Sequence, residues 1–334
     1  MSERIDDERS REAVIGIRLK SIVGALLAVS AMSCGGSAAA PNVSSQSAWQ
    51  LILTVKTTSI NFGIPGILLD GHGNIYLAEL DDNLIYKYSL SGKELAQWGG
   101  HGSGPGQLIH PDKLAMDASG NIYVTEIGGG AFFGTDANNR VQKFSPKGES
   151  LARWGMYGSA PGQFDNPIGI AIDQQGDIYV SEEAGNRVQK LSATGQPLAQ
   201  WGSLGSGPGQ LNVPYDLALD ANGNVYVSEP APYGSGNHRI QKFSSTGLPL
   251  AQWGGPGVGP GQFRNPTGLA IDRKGDLFVV DADNNRIQEL SPTGQYMAQW
   301  KGPLVPFKFV SKVALDDHGN MYVSVGSQVF RRSL

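Results

Sequence analysis

Six times along this chain an apolar run stops at an Asp-x-x-Gly step and resumes as a β-branched and aromatic run. The phrases are DGHGNIYLAE from Asp70, DASGNIYVTE from Asp117, DQQGDIYVSE from Asp173, DANGNVYVSE from Asp220, DRKGDLFVVD from Asp272 and DDHGNMYVSV from Asp316. Their starts lie 47, 56, 47, 52 and 44 residues apart, and self-similarity at such a period marks a repeat architecture. In the third copy, GIAID (169–173) reads as one strand and IYVSE (178–182) as the next. Glycine in the step between them supplies positive φ, and Asp or Asn bonds its own backbone, so the two strands form a hairpin. NRVQKLS (186–192) reads as a third strand, and after a turn at Gly195, LAQWG (198–202) as a fourth. Four short strands per repeat make one propeller blade, so the pattern predicts an all-β, six-bladed β-propeller with four-stranded antiparallel blades.

Glycine-rich links join the copies: WGGHGSGPGQL from Trp98, WGMYGSAPGQF from Trp154, WGSLGSGPGQL from Trp201 and WGGPGVGPGQF from Trp253, with a degraded WKGPLVPFKF from Trp300. No helical pattern or Walker lysine follows them, so they are linkers and not phosphate cradles. The last copy stops at Leu334, one strand short. The segment WQLILTVKT (49–57) can supply that strand. Pairing it beside the last strand closes the ring and covers a bare edge.

Composition supports this picture. Glycine numbers 46, proline 19, charged residues make up 17% and hydrophobic residues 40% of the 334 positions, which suits many short strands around a packed interior. The net charge of -4 argues against nucleic-acid binding, which needs a basic face. The single cysteine, Cys34, excludes an intramolecular disulfide and a Cys-cluster zinc site.

The N-terminus reads as an address. Residues 1–20 are charged, and SIVGALLAVSAMS (21–33) is an apolar run ending at Cys34. It is short for a bilayer span but suits a signal-peptide core. The run resembles a bacterial lipoprotein signal, which implies that Cys34 becomes the lipidated first residue, although Ala31 stands where leucine is usual. Cleavage near residues 38–40 and a retained anchor are the alternatives, and Val14 is an alternative start. The expected organisation is a signal at 1–33, a flexible tether at 34–48 and the propeller at 49–334. All these readings place the propeller outside the cytoplasm. Gly35 after the cysteine favours the outer membrane in a two-membrane cell.

The run WGSLGSGPGQLNVPYDLALDANGNVYVSE, resuming as HRIQKFSSTGLPLAQW, resembles the NHL repeat. The likeness spans about residues 60–334. It implies the propeller fold and leaves function open, because the family includes lyases, sensor domains and protein- or RNA-binding modules.

Function is expected where the copies diverge. From the last residue of each phrase, acidic in five of the six, to the position usually held by arginine, the copies run 5, 14, 5, 10, 5 and 3 residues. The two long gaps are therefore insertions in equivalent loops on one face. The second copy's insert brings Phe132, Phe133 and Asp136, the fourth brings Tyr233 and His238, and Tyr157 and His110 lie on links of the same face. These seven residues are the candidate ligand-binding set. Paired phenylalanines in a glycine-rich loop either contact a partner or fold back as packing.

Four acid–arginine pairs, Glu126–Arg140, Glu182–Arg187, Glu229–Arg239 and Asp281–Arg286, read as local salt bridges and not as a pore for cations. The repeated tryptophans read as inter-blade packing. Amidating-lyase relatives bind zinc through several histidines. Of the five here, only His110 and His238 can face the channel mouth, and two fall short of three ligands. No catalytic set is identified and no cofactor is predicted, with zinc or calcium left open. The expected function is a monomeric, lipid-anchored scaffold that binds a protein, peptide or glycan. The alternative is a metal-dependent lyase or hydrolase acting at the same face.

Overall fold

A computed structural model of the chain describes residues 48–57, 63–128, 138–231, 234, 236–303 and 312–334. The propeller lies within the unit Ser47–Leu334. After β1 (Gln50–Thr54), blade 1 comprises β2 (Gly66–Leu69), β3 (Asn74–Glu79), β4 (Leu84–Ser89) and β5 (Glu94–Gly99). Blade 2 is β6 (Pro111–Met116), β7 (Ile122–Glu126), β8 (Arg140–Phe144) and β9 (Ser150–Trp154). Blade 3 is β10 (Pro167–Ile172), β11 (Ile178–Glu182), β12 (Arg187–Leu191) and β13 (Pro197–Trp201). Blade 4 is β14 (Leu217–Leu219), β15 (Val225–Glu229), β16 (Arg239–Phe243) and β17 (Pro249–Gly254). Blade 5 is β18 (Pro266–Ile271), β19 (Leu277–Asp281), β20 (Arg286–Leu290) and β21 (Tyr296–Lys301). Blade 6 is β22 (Val313–Leu315), β23 (Asn320–Val325) and β24 (Gln328–Ser333), with β1 as its outer strand.

The pairing of β1 with β24 is the predicted closure, with Gln50 opposite Arg331 and Thr54 opposite Gln328. The innermost strands touch in succession around the ring, and β22 touches β2. One apolar cluster fills each of the six junctions between neighbouring blades. Tyr76, Tyr123, Tyr179, Tyr226 and Tyr322 are the largest buried side chains there. Each comes from the aromatic position of the repeated phrase, which explains why the sequence keeps a large flat ring in that place.

Blades are also tied by polar contacts. The hydroxyl two positions after the tyrosine crosses to a carbonyl at the start of the next blade: Thr125 to Ile168 at 2.7 Å, Ser181 to Tyr215 at 2.6 Å, Ser228 to Thr267 at 2.6 Å and Ser324 to Ile64 at 2.7 Å. The tryptophans bridge blades as expected. Trp154 Nε1 donates to Thr194 O at 3.0 Å, and Trp98 and Trp201 pack on Phe144 and Phe243 of the following blade. Gly195 lies beneath Trp154, where a Cβ would come within 1.9 Å of the indole.

Candidate functional site

The loops between second and third strands meet the links on one face. Asn138, at the end of the blade 2 insert, donates to Gly102 O of a link, and Asn237 and Asn284 repeat that contact with Gly205 O and Gly257 O. This is the face on which each innermost strand begins, so it surrounds one mouth of the central channel.

Four staples fasten this face. Glu182 is fully buried and accepts Arg187 Nε at 2.7 Å, Gln189 Nε2 at 2.7 Å and the Asp165 amide at 2.8 Å. Arg187 in turn donates to Ser159 O and Gln163 O of the link. Burial holds the Glu182 carboxyl above its usual range, and the donation from Arg187 works against that rise. Blades 2, 4 and 5 repeat the arrangement. Each pair is local and saturated, so these four acids tie the links to their blades.

A second set of charges was not picked out from the sequence. Four residues before each hairpin aspartate stand Gly66, Lys113, Gly169, Asp216, Gly268 and Lys312. Glycine and a charged residue alternate around the ring. Glycine serves where the next blade presses close: a Cβ on Gly66 would lie 2.3 Å from Asp112 O, and one on Gly169 2.6 Å from Tyr215 O.

The three charged residues reach across the mouth. Lys312 Nζ bonds both oxygens of Asp216, at 2.9 and 2.8 Å, joining blades 6 and 4. Asp216 also accepts the Leu269 amide of blade 5 at 2.7 Å. Lys113 pairs with its neighbour Asp112 at 2.5 Å and lies 4.7 Å from the centre of the Tyr215 ring, joining blades 2 and 4. Lys113 and Asp216 are fully buried. Such pairs need their full set of partners, because desolvating a charge costs more than one contact returns.

Beside them sits Glu183, the residue after the stapling acid in blade 3. The equivalent positions elsewhere are Leu80, Ile127, Pro230, Ala282 and Gly326. Leu80 and Ile127 form an apolar patch with Ile168 and Tyr215. Burial and the nearby charge of Asp112 push the Glu183 carboxyl up to about 7, and a hydrogen bond from Asn166 partly offsets this. A carboxyl poised near neutrality can both take and give a proton. Behind Lys312 the channel is an apolar cavity of about 250 Å³, lined by side chains including Ile67, Met116, Ile172 and Leu269.

Of the residues singled out from the sequence, Tyr157 stands on its link at 68% exposure. Met156, Leu204 and Val258 on the links are 61%, 67% and 62% exposed, giving this face an apolar rim. His110 ends its link with φ 48°, and its amide donates to Asn83 Oδ1 at 2.8 Å. His238 has φ 50°, and its Nδ1 accepts the Asn265 amide at 3.1 Å. Asn139 and Asn186 play that same acceptor part in their own blades. His238 thus fills a turn position, and asparagine at the sister positions was the available signal. Phe132, Phe133, Asp136, Tyr233 and Cys34 lie outside the described residues. Among the described residues, no group of three His, Cys, Asp or Glu side chains is placed to hold a metal.

Comparison with known proteins agrees with this architecture. The NHL repeat matches at residues 164–191, 211–243 and 263–290, which run from the end of the preceding link to the third strand in blades 3, 4 and 5. No curated protein sequence matches the chain. Among solved structures, a streptogramin B lyase is similar at 15% identity and a TM-score of 0.60, over 86% of this chain and 98% of its own. A catalytically inactive virginiamycin B lyase from Staphylococcus aureus with quinupristin shares 15% identity at a TM-score of 0.59, over 86% of this chain and 99% of its own. A gluconolactonase from Xanthomonas campestris shares 15% identity at a TM-score of 0.60, covering 82% of this chain and 86% of its own. At such identity the likeness is one of fold. Six antiparallel four-stranded blades, the closing strand β1 and the matched repeats together make this chain a six-bladed β-propeller that carries NHL repeats.

Proposed function

We propose that the chain is an extracytoplasmic, lipid-anchored scaffold, monomeric, that binds a protein, peptide or glycan partner through the face bearing the links and the two inserts. The observation that carries this reading is the exposed apolar rim of Met156, Tyr157, Leu204 and Val258 on links that the buried staples hold rigid. A rigid surface with projecting apolar and aromatic groups loses little entropy on binding, and loops on such scaffolds commonly carry recognition. The anchor rests on the apolar run ending at Cys34 and on the small, polar residues that follow it.

Shortening the inserts to the five-residue loop of blade 3 tests the proposal. Partners retained from envelope extracts by the wild-type chain should be lost from the shortened chain while its melting transition is unchanged. Retention of the same partners would refute it.

Glu183 favours a second reading, a lyase or hydrolase using the channel mouth. The lyase and lactonase folds above agree with it at the level of architecture alone. An acid–base role would appear as a turnover that titrates near pH 7 and disappears in Glu183→Gln. Turnover that persists in that variant would assign the proton transfer elsewhere.

A further inference from the structure

The junction where the chain's two ends meet is built differently from the other five. Blade 6 has Val325 and Gln328 where its sisters have acid and arginine, so it carries no staple. Blade 1 keeps the acid, Glu79, but loses every side-chain donor that serves its sisters. Glu126 in blade 2 accepts Arg140 Nε, Gln142 Nε2 and Asn138 Nδ2, at 2.6, 2.8 and 2.5 Å. At the corresponding positions blade 1 has Leu84, Tyr86 and Asp82, so an apolar group, a phenol and a second acid replace three donors.

Glu79 is nonetheless fully buried. Its Oε2 accepts the Asp82 amide at 2.5 Å, and its Oε1 has no partner among the described residues. An unmatched carboxylate in such a place is costly when charged. Successive side chains alternate along β3, which puts Glu79 on the side of Leu77. That side packs with Tyr86 and Tyr88 against Leu53 and Val55 of the closing segment and Tyr322 and Val329 of blade 6.

The remaining charges of these elements do not compensate it. The Asp81 and Asp82 carboxylates oppose its ionisation, while the backbone amides of the same two residues favour it. The Tyr86 hydroxyl stays neutral, pushed up to about 12 by burial and by Asp82 and Glu79, with Glu94 adding to the rise. Arg331 donates to Gln50 Oε1 at 2.8 Å, Arg332 lies over the Trp49 ring and Lys56 is exposed.

We propose that Glu79 is a pH-responsive latch at the seam of the ring: protonated, it lets blade 1 close against β1 and blade 6, and ionised, it loosens that junction. Among the described residues the seam is bridged by Val55 donating to Ser327 O at 2.8 Å, Ile64 to Gly326 O at 3.1 Å and Ser324 to Ile64 O at 2.7 Å, and the register between β1 and β24 shifts between Leu51 and Leu53. The direction follows from burial, which raises the carboxyl from 4.5 to about 7; the Asp82 amide works against that rise, and the charges of Asp82 and Asp81 add to it. A raised carboxyl stabilises the closed form fully below the ordinary range near 4.5. That contribution is lost as pH rises through about 7.

Hydrogen exchange read by mass spectrometry on the full chain at pH 6 and pH 8, corrected for intrinsic rates, tests the latch. Protection of β1 and of β3–β4 should fall about tenfold between the two conditions, while β10–β13 of blade 3 stay unchanged. Glu79→Gln, which cannot ionise, should remove the fall. Leu84→Arg should also remove it by supplying the sister blades' partner. Equal protection at both pH values in the wild type, or an unchanged fall in Glu79→Gln, would overturn the proposal. Should Leu84→Arg fail to fold, Glu79→Gln alone decides.

Discussion

Replacing Arg187 by leucine takes the arginine partner from the buried acid of blade 3, the partner that blade 1 also lacks. The guanidinium now makes a 2.7 Å bond to Glu182, bonds to Ser159 O and Gln163 O, and a 3.3 Å bond to Gln200 Oε1. Its loss leaves Glu182 with Gln189 and the Asp165 amide, takes the guanidinium from Ser159 O, and leaves Gln163 O with Gln189 alone. Breaking one partner out of a buried pair costs about 3–5 kcal/mol. Blade 1 shows how part of that cost depends on pH. Without an arginine, Glu79 rises from 4.5 to about 7, which corresponds to about 2–3 kcal/mol once solvent screening is allowed for.

Glu182 in Arg187→Leu should rise in the same direction. The variant should therefore be closest to wild type near pH 4.5 and progressively less stable as pH climbs toward 7, with no further loss beyond. Urea unfolding of both proteins at pH 5 and pH 8 measures the difference. A second change, Glu182→Gln in the same chain, should remove the pH-dependent part and leave the cost of the lost link contacts. A loss under about 1 kcal/mol at both pH values would show that the staples contribute little and that packing alone fixes the links.

Three further outcomes follow from the geometry. Deleting residues 49–57 withdraws Leu53 and Val55 from the seam cluster, so the whole ring should lose about 3–6 kcal/mol in one cooperative calorimetric transition. A separate low-temperature transition for blade 6 alone would argue against closure by β1. Lys312→Met breaks the link between blades 6 and 4 and strands the fully buried Asp216. It should cost about 3–5 kcal/mol by chemical denaturation, and Asp216→Leu in the same chain should recover much of that loss. Gly195→Ala places a methyl against Trp154 at a φ of 81° and should destabilise by about 1–3 kcal/mol, visible as a lowered Tm and changed tryptophan emission.

The strands were legible because each repeat states the same local chemistry six times. Apolar alternation, a turn aspartate and a turn glycine agree at every copy, and the missing last strand pointed to 49–57. The shared face of the two inserts was legible from loop lengths alone. The buried acid–arginine pairs could be read as staples because four blades repeat them at one register.

The mouth charges escaped for two reasons. Comparing loop lengths directs attention to insertions, whereas Lys113, Asp216 and Lys312 are substitutions at one register position where glycine alternates. The contacts that span the mouth also join non-neighbouring blades, Lys312 to Asp216 and Lys113 to Tyr215. Lys312 and Asp216 lie 96 residues apart, and only the closed ring brings them together. Glu79 illustrates a related point. Its mismatch with Leu84 was visible as a missing pair, but its place against the closing strand depends on which side of β3 it faces.

Placing a photo-crosslinking side chain at Tyr157 or Leu204 on the links, and at Gln174 or Asn222 on the hairpins of the opposite face, tests the proposed binding surface in the native cell. The account predicts partner adducts from Tyr157 and Leu204 and none from Gln174 or Asn222. Adducts from the hairpin positions alone, or equally from both faces, would contradict it.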